Sequence, residues 1–173
     1  MHRSPTTMEA ALAAIHAESF GWALACCHRD RFLAEEVLQV AYLKVLDGSA
    51  RFDGRSSFKT FLFGVIRRTA LEQRRVRWLS ARRLSRWFAS RAETHQPADP
   101  EAASMRSESA RALVLALERL SGRQREVLHL VFFQDLTIEQ AAGVLGIATG
   151  SARQHYERGK ARLRELLPHK ANR

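Results

Sequence analysis

The chain has 173 residues, enough for one ordinary domain or two small ones with modest cores. Hydrophobic residues at 46% and charged residues at 27% exclude a chain that stays disordered, and no apolar run reaches the roughly 18 to 20 residues of a membrane span. The net charge of +10 is segregated: −2 over residues 1–50, +10 over 51–91, −3 over 92–139 and +5 over 140–173. Solubility alone needs no such alternation, whereas two separate contacts with a polyanion do.

Gly and Pro are few and long periodic segments dominate, so the chain is expected to be all-α. The N-terminus, "MHRSPTTMEAALAAIHAE", carries only a short Ala-rich stretch broken by Glu9 and lacks a secretory h-region, which places the chain in the cytoplasm. From about Thr7 to Leu46 the pattern predicts two helices with a break near His28 to Phe32. Cys26 and Cys27 are adjacent, and neighbouring cysteines rarely have the converging geometry of a disulfide. Their "CCH" triplet with His28 lacks the three- or four-residue spacing of a helical metal site, so small buried thiols are expected and no metal. In "LAEEVLQVAYLKVL", Val37, Leu38, Ala41, Tyr42, Val45 and Leu46 fall on one side, and Glu35, Glu36, Gln39 and Lys44 on the other.

"DGSARFDGRSS" is a loop built on Asp47, Gly48, Asp53 and Gly54, and Ser56 or Ser57 can cap the helix that follows. In that helix Phe58, Phe61, Leu62, Val65, Ile66 and Thr69 share one face and are expected in the core. Lys59, Phe63, Arg67, Leu71, Arg74 and Arg75 lie on other sides. Trp78 and Trp87 are expected to pack. The stretch "SRAETHQPADPEAASMRSES", with Pro97 and Pro100, reads as a linker.

The last part contains "ARALVLALERL" and "SGRQREVLHLVFFQ", with Ser121 as a cap. A short helix follows, opened by the capping box of Thr137 and Gln140 and closed at Gly146. A tight connection from Ile147 to Gly150 leads to a helix from about Ser151 to Leu167, with Ala152, Tyr156, Gly159 and Leu163 inward. Short helix, Gly-containing turn and basic helix make a helix-turn-helix, with Ala141 and Ala142 small enough for a close crossing. Ser151, Arg153, Gln154, His155, Arg158 and Arg162 then offer donors and acceptors suited to base edges and phosphates.

Two blocks now resemble one family. "LALERLSGRQREVLHLVFFQDLTIEQAAGVLGIATGSARQHYERGKARLREL" is similar to the C-terminal promoter-reading domain of bacterial sigma factors. "AEEVLQVAYLKVL" followed by "RFDGRSSFKTFLFGVIRRTALEQRR" resembles their N-terminal domain. Both occur in the expected order with only a linker between, which resembles the small extracytoplasmic-function (ECF) group. The resemblance implies a region 2-like domain over 7–88, a linker over 89–108 and a region 4-like helix-turn-helix domain over 109–168. It implies core RNA polymerase binding by Glu35, Glu36 and Gln39. It implies −10 element recognition and melting by Phe52, Arg55, Ser56, Lys59, Arg67, Arg68, Arg74 and Arg75. The −35 element falls to Ser151, Arg153, Gln154, His155, Arg158 and Arg162.

The resemblance also implies an anti-sigma factor as partner, no cofactor, no catalysis and no stable membrane insertion. Val40 stands where a second acid is common, Phe61 where Trp is common, Arg68 where Asn is usual and His155 where Arg is common, so no promoter sequence carries over. Two alternatives stand beside a promoter-directing sigma factor. One is a sigma-like decoy for an anti-sigma factor, against which the basic recognition helix argues. The other is a polymerase-independent helix-turn-helix regulator, which leaves the first block unexplained. For an enzyme there is neither a phosphate loop nor a nucleophile pair.

Overall fold

The computed structural model describes residues 7–87 and 108–167, with side chains described for 7–80 and 112–167. Among them are eight helices and no strand. Helices α1 (Thr7–Ala14), α2 (His16–Cys26), α3 (Arg31–Leu46) and α4 (Phe58–Trp87) belong to one compact unit. Helices α5 (Glu108–Glu118), α6 (Gly122–Phe132), α7 (Ile138–Leu145) and α8 (Thr149–Leu166) belong to a second. The expected linker lies outside the described residues, apart from Glu108, which opens α5.

The segment read as two helices is three, because Ile15 adds a break between α1 and α2. The second break falls where the sequence put it. Cys27 closes α2, and His28 and Arg29 adopt left-handed backbone with φ of 53° and 67°. Arg29 N–H then reaches back to the Leu24 carbonyl, the six-residue bond of a Schellman ending. Asp30 caps α3, its carboxylate accepting from Leu33 N–H at 2.9 Å.

Trp22 anchors the first core. It is fully buried, its ring lies over that of Phe63, and its Nε1–H donates to the Phe63 carbonyl at 3.0 Å. Phe63 was expected outside the core stripe and is instead fully buried. Helix α4 packs against both α2 and α3, so its buried arc is wider than one stripe and takes in Leu62, Phe63, Val65, Ile66, Thr69 and Ala70. Arg67 falls in that arc and is 8% exposed, a correction to its expected outward position. Lys44, expected on the outer side of α3, donates to Glu72 and Thr69 of α4. Leu46, expected inward, is 47% exposed.

In the second unit, capping boxes start two helices: Ser121 with Gln124 on α6, and Thr137 with Gln140 on α7. Gly146 ends α7 in the left-handed region at φ 63°, a conformation cheap only for glycine. Ala148 is extended, and α8 starts at Thr149, two residues before the expected Ser151. Small side chains set the spacing of the helices. Ala141, Ala142 and Ala152 are buried, and a Cβ on Gly159 would lie 2.8 Å from Leu128 Cδ1 and 3.3 Å from Gln124 Cβ. Leu128 is itself 1% exposed, so its methyl group can yield only against other core atoms. Gly159→Ala should therefore destabilise the protein by about 1–3 kcal/mol through overpacking. Gly150→Ala meets nothing within 4 Å and should be neutral or stabilise by up to about 1 kcal/mol. Urea denaturation of the two variants checks the contrast.

Candidate nucleic-acid interface

Helix α8 has a buried face, with Ala152 and Gly159 against α6 and α7 and Tyr156 and Leu163 half-buried. Its opposite face presents Ser151, Arg153, Gln154, Arg158 and Arg162 to solvent, with His155 half-buried at the edge. Ser151 to Arg158 spans two turns, about 10 Å along the axis. Arg153 lies 3.7 Å from Glu139 of α7, and Arg162 pairs with Glu165 at 2.7 Å. Both pairs are largely exposed, which makes them weak and exchangeable. Glu139 is held below the usual carboxylate range by its own backbone N–H, by Thr137 and lastly by Arg153. Among the described residues Arg158 has no ion pair. The exposed residues meet the donor and acceptor needs of a groove-reading helix.

In the first unit the loop before α4 is held by its own side chains. Asp47 accepts from Ser49 N–H at 2.8 Å and Asp53 from Arg55 N–H at 3.1 Å. Of the two candidate caps, Ser57 is the one used, accepting from Thr60 N–H at 3.1 Å. Ser56 is exposed, its hydroxyl donating to the Ser57 carbonyl. The loop folds Phe52 back onto α4, where its ring lies 5.6 Å from Phe58 and 5.2 Å from Phe61. Phe58 and Phe61 are half-buried rather than core, and Phe52 keeps 37% of its surface exposed. Sequence spacing could not show this cluster, because the loop, not helix periodicity, brings Phe52 to it.

Along α4, Arg68, Arg74 and Arg75 are exposed. Lys59 is half-buried, 3.3 Å from Glu18 and over the Phe63 ring. Arg55 is 3.2 Å from Asp53 and largely exposed. Trp78, expected to pack, is 55% exposed, with Val76 and Leu79 also exposed beside it; the side chain of Trp87 lies outside the described residues. On α3 the three polar candidates diverge. Glu35 pairs with Arg31 one turn back at 3.1 Å, Gln39 is exposed, and Glu36 meets Arg77 of α4 at 2.9 Å. Phe32 at 75% and Leu43 at 61% exposed add apolar surface to the same helix.

The description "Sigma-70 region 2" matches residues 18–80, and "Sigma-70, region 4" matches residues 116–165. The RNA polymerase sigma factor CarQ of Myxococcus xanthus is 31% identical over 157 residues, which is 90% of this chain and 87% of that protein. The ECF RNA polymerase sigma factor SigX of Bacillus subtilis is 28% identical over 141 residues, 80% of this chain and 73% of its own. The sigma factor RpoE of Bartonella quintana, solved in complex with the anti-sigma factor NepR, aligns at a TM-score of 0.69 and 25% identity, covering 95% of this chain and 97% of that one. This chain belongs to the ECF group of RNA polymerase sigma factors.

The matched residues of this ECF sigma factor include both basic surfaces and the polar face of α3. Among the described residues, no helix is long and apolar enough to cross a membrane and no group of three or more His, Cys, Asp or Glu could hold a metal ion. Cys26 and Cys27 are thiols, not joined in a disulfide. Burial, with Asp30 nearby, pushes the Cys27 thiol up to about 11, so it stays protonated and unreactive at neutral pH.

His129 of α6 stacks on Phe133, and burial pushes its pKa down to about 4 from 6.5. Between those values the unfolded chain binds the proton and the folded chain does not, so stability is full above pH 6.5 and falls as the pH drops toward 4. His129→Gln should flatten that part of the profile, as read by thermal melting from pH 7.5 to 4.5.

Proposed function

We propose that this sigma factor binds core RNA polymerase through the exposed face of α3, with Glu35, Glu36 and Gln39 as its polar contacts. The second unit reads the −35 element as duplex, using Ser151, Arg153, Gln154, His155, Arg158 and Arg162. The first unit takes the −10 element. Phe52 offers its exposed ring to an unpaired base, where stacking contributes roughly 1–3 kcal/mol, while Arg55, Ser56, Lys59, Arg68, Arg74 and Arg75 attract the backbone. Arg67 is left out of this set, since a guanidinium buried in the α4 arc is not offered to a phosphate. The domain limits are those read from the sequence, 7–88 and 109–168 with the linker between. The protein supplies binding energy and no bond-making step, and it acts in the cytoplasm. An anti-sigma factor is its proposed inhibitor, by likeness to the RpoE that was solved with one.

One observation carries this reading. Gly146 and buried Ala152 turn α8 so that Gln154 and Arg158 face outward one turn apart, on a chain that matches both sigma regions in order. With core polymerase, the purified protein should start transcription at a subset of promoters that core alone ignores; absence of both initiation and core binding would refute the reading. Arg158→Ala should weaken binding to upstream duplex by about 1–3 kcal/mol, roughly 5- to 150-fold, with core affinity unchanged. Glu35→Lys should do the reverse, lowering core affinity by roughly tenfold while free-protein duplex binding is not weakened. Fluorescence anisotropy with labelled core and labelled duplex separates the two effects.

A further inference from the structure

Glu36 and Arg77 join two surfaces to which the proposed function gives different partners. Glu36 lies on α3, the proposed polymerase face. Arg77 lies on α4, one turn beyond Arg74 on the same side of the helix, past the last core residues. Their side chains meet at 2.9 Å and are 45% and 50% exposed. Glu35, one residue away, points elsewhere and pairs within its own helix. Arg74 is turned toward the α2–α3 corner, its Nη1 lying 3.5 Å from His28 Nε2. Asp30, at the start of α3, is its N-cap, and Glu72, the one acid of α4, is bonded to Lys44.

We infer that Arg77 is a further DNA-backbone contact, masked by Glu36 in the free protein and released when polymerase engages Glu36. A basic group arriving at the carboxylate stands beside the guanidinium, and like charges repel. Arg77 has a long, flexible side chain, a neighbouring cation in Arg74, and no second free acid on its side of α4 among the described residues. Its best new partner is a phosphate. The energetics permit the exchange: a half-exposed pair shifts an equilibrium by no more than about fivefold, so an incoming charge displaces it readily. Docking on polymerase thereby raises the number of phosphates that α4 neutralises. The coupling is reciprocal, since DNA that takes Arg77 leaves Glu36 more available to polymerase. The inference rests on α3 being the polymerase face.

The test uses the full-length chain and a labelled random-sequence 20-base-pair duplex, because a phosphate contact needs no promoter. Affinity is measured against salt for wild type, Glu36→Gln, Arg77→Ala and the double variant. Glu36→Gln should tighten duplex binding by up to about fivefold, the most the pair can withhold. The double variant should lose that gain, and Arg77→Ala should cost less affinity in wild type than in the Glu36→Gln background. Glu9→Gln, which changes net charge equally on α1, should show no such dependence on Arg77. With core bound, Arg77→Ala should cost as much as it does in the Glu36→Gln background.

The inference is overturned if Glu36→Gln leaves the affinity unchanged, or if its gain survives removal of Arg77. It is equally overturned if Arg77→Ala costs as much affinity in wild type as in the Glu36→Gln background, since Arg77 is then not masked. The docking reading is judged separately, by whether wild-type protein binds core. If it does not, docking fails and the proposed trigger with it; if it does and the variants show no coupling, only the masking of Arg77 fails.

Discussion

Trp22 sits fully buried against Phe63, with its indole N–H bonded to the Phe63 carbonyl at 3.0 Å. That contact ties α2 to the second turn of α4, and α3 closes over the other flank with Val37, Leu38, Ala41 and Val45. A fully buried side chain of this kind contributes roughly 1.5–3 kcal/mol, so the grip on α4 comes from the ensemble rather than from any surface ion pair. Everything proposed for the first unit depends on it. Phe52 can lean on Phe58 and Phe61 only because α4 holds those rings in place. Arg68 and Arg75 lie two turns apart on an outer face only because the opposite arc is buried.

The second unit solves a similar problem with small residues. A recognition helix must stand clear of its own domain on one face and press closely on the other. Ala152 and Gly159 supply the close face, and Gly159 leaves no room for even a methyl group. Gly146 reverses the chain within a short connection at a backbone angle that other residues adopt at a cost. The arginines outside are incidental to stability. Their pairs with Glu139 and Glu165 are exposed and exchangeable, which suits side chains that must change partner when DNA arrives.

Charge is handled differently along the length of α4. Lys44 with Glu72, and Lys59 with Glu18, reach across to neighbouring helices with half-buried lysines. Glu36 with Arg77 is more evenly exposed and lies beyond the core. The same chemistry thus draws two lysine stems onto the core and leaves an arginine at the periphery, and the burial of the cation is what separates them.

Most of the architecture was legible in the residues. The cap at Ser121, the capping box at Thr137, the helix end at Gly146 and the break near His28 follow from local side-chain chemistry, which acts over three or four residues and needs no partner. The helix-turn-helix and its outward residues follow from the same rules. Periodicity failed where a helix touches more than one neighbour: Phe63 and Arg67 are buried because α4 lies between α2 and α3, and Lys44 turns inward to reach Glu72. It failed also where a loop returns a side chain, as with Phe52, or where helices far apart in sequence meet, as with Glu36 and Arg77. By itself the sequence determined the helices, their caps and the two basic blocks, since these are set by short-range bonding and composition. Only the tertiary structure decided which cations are exposed, which are buried and which are already paired, because those properties belong to the packing of elements separated by tens of residues.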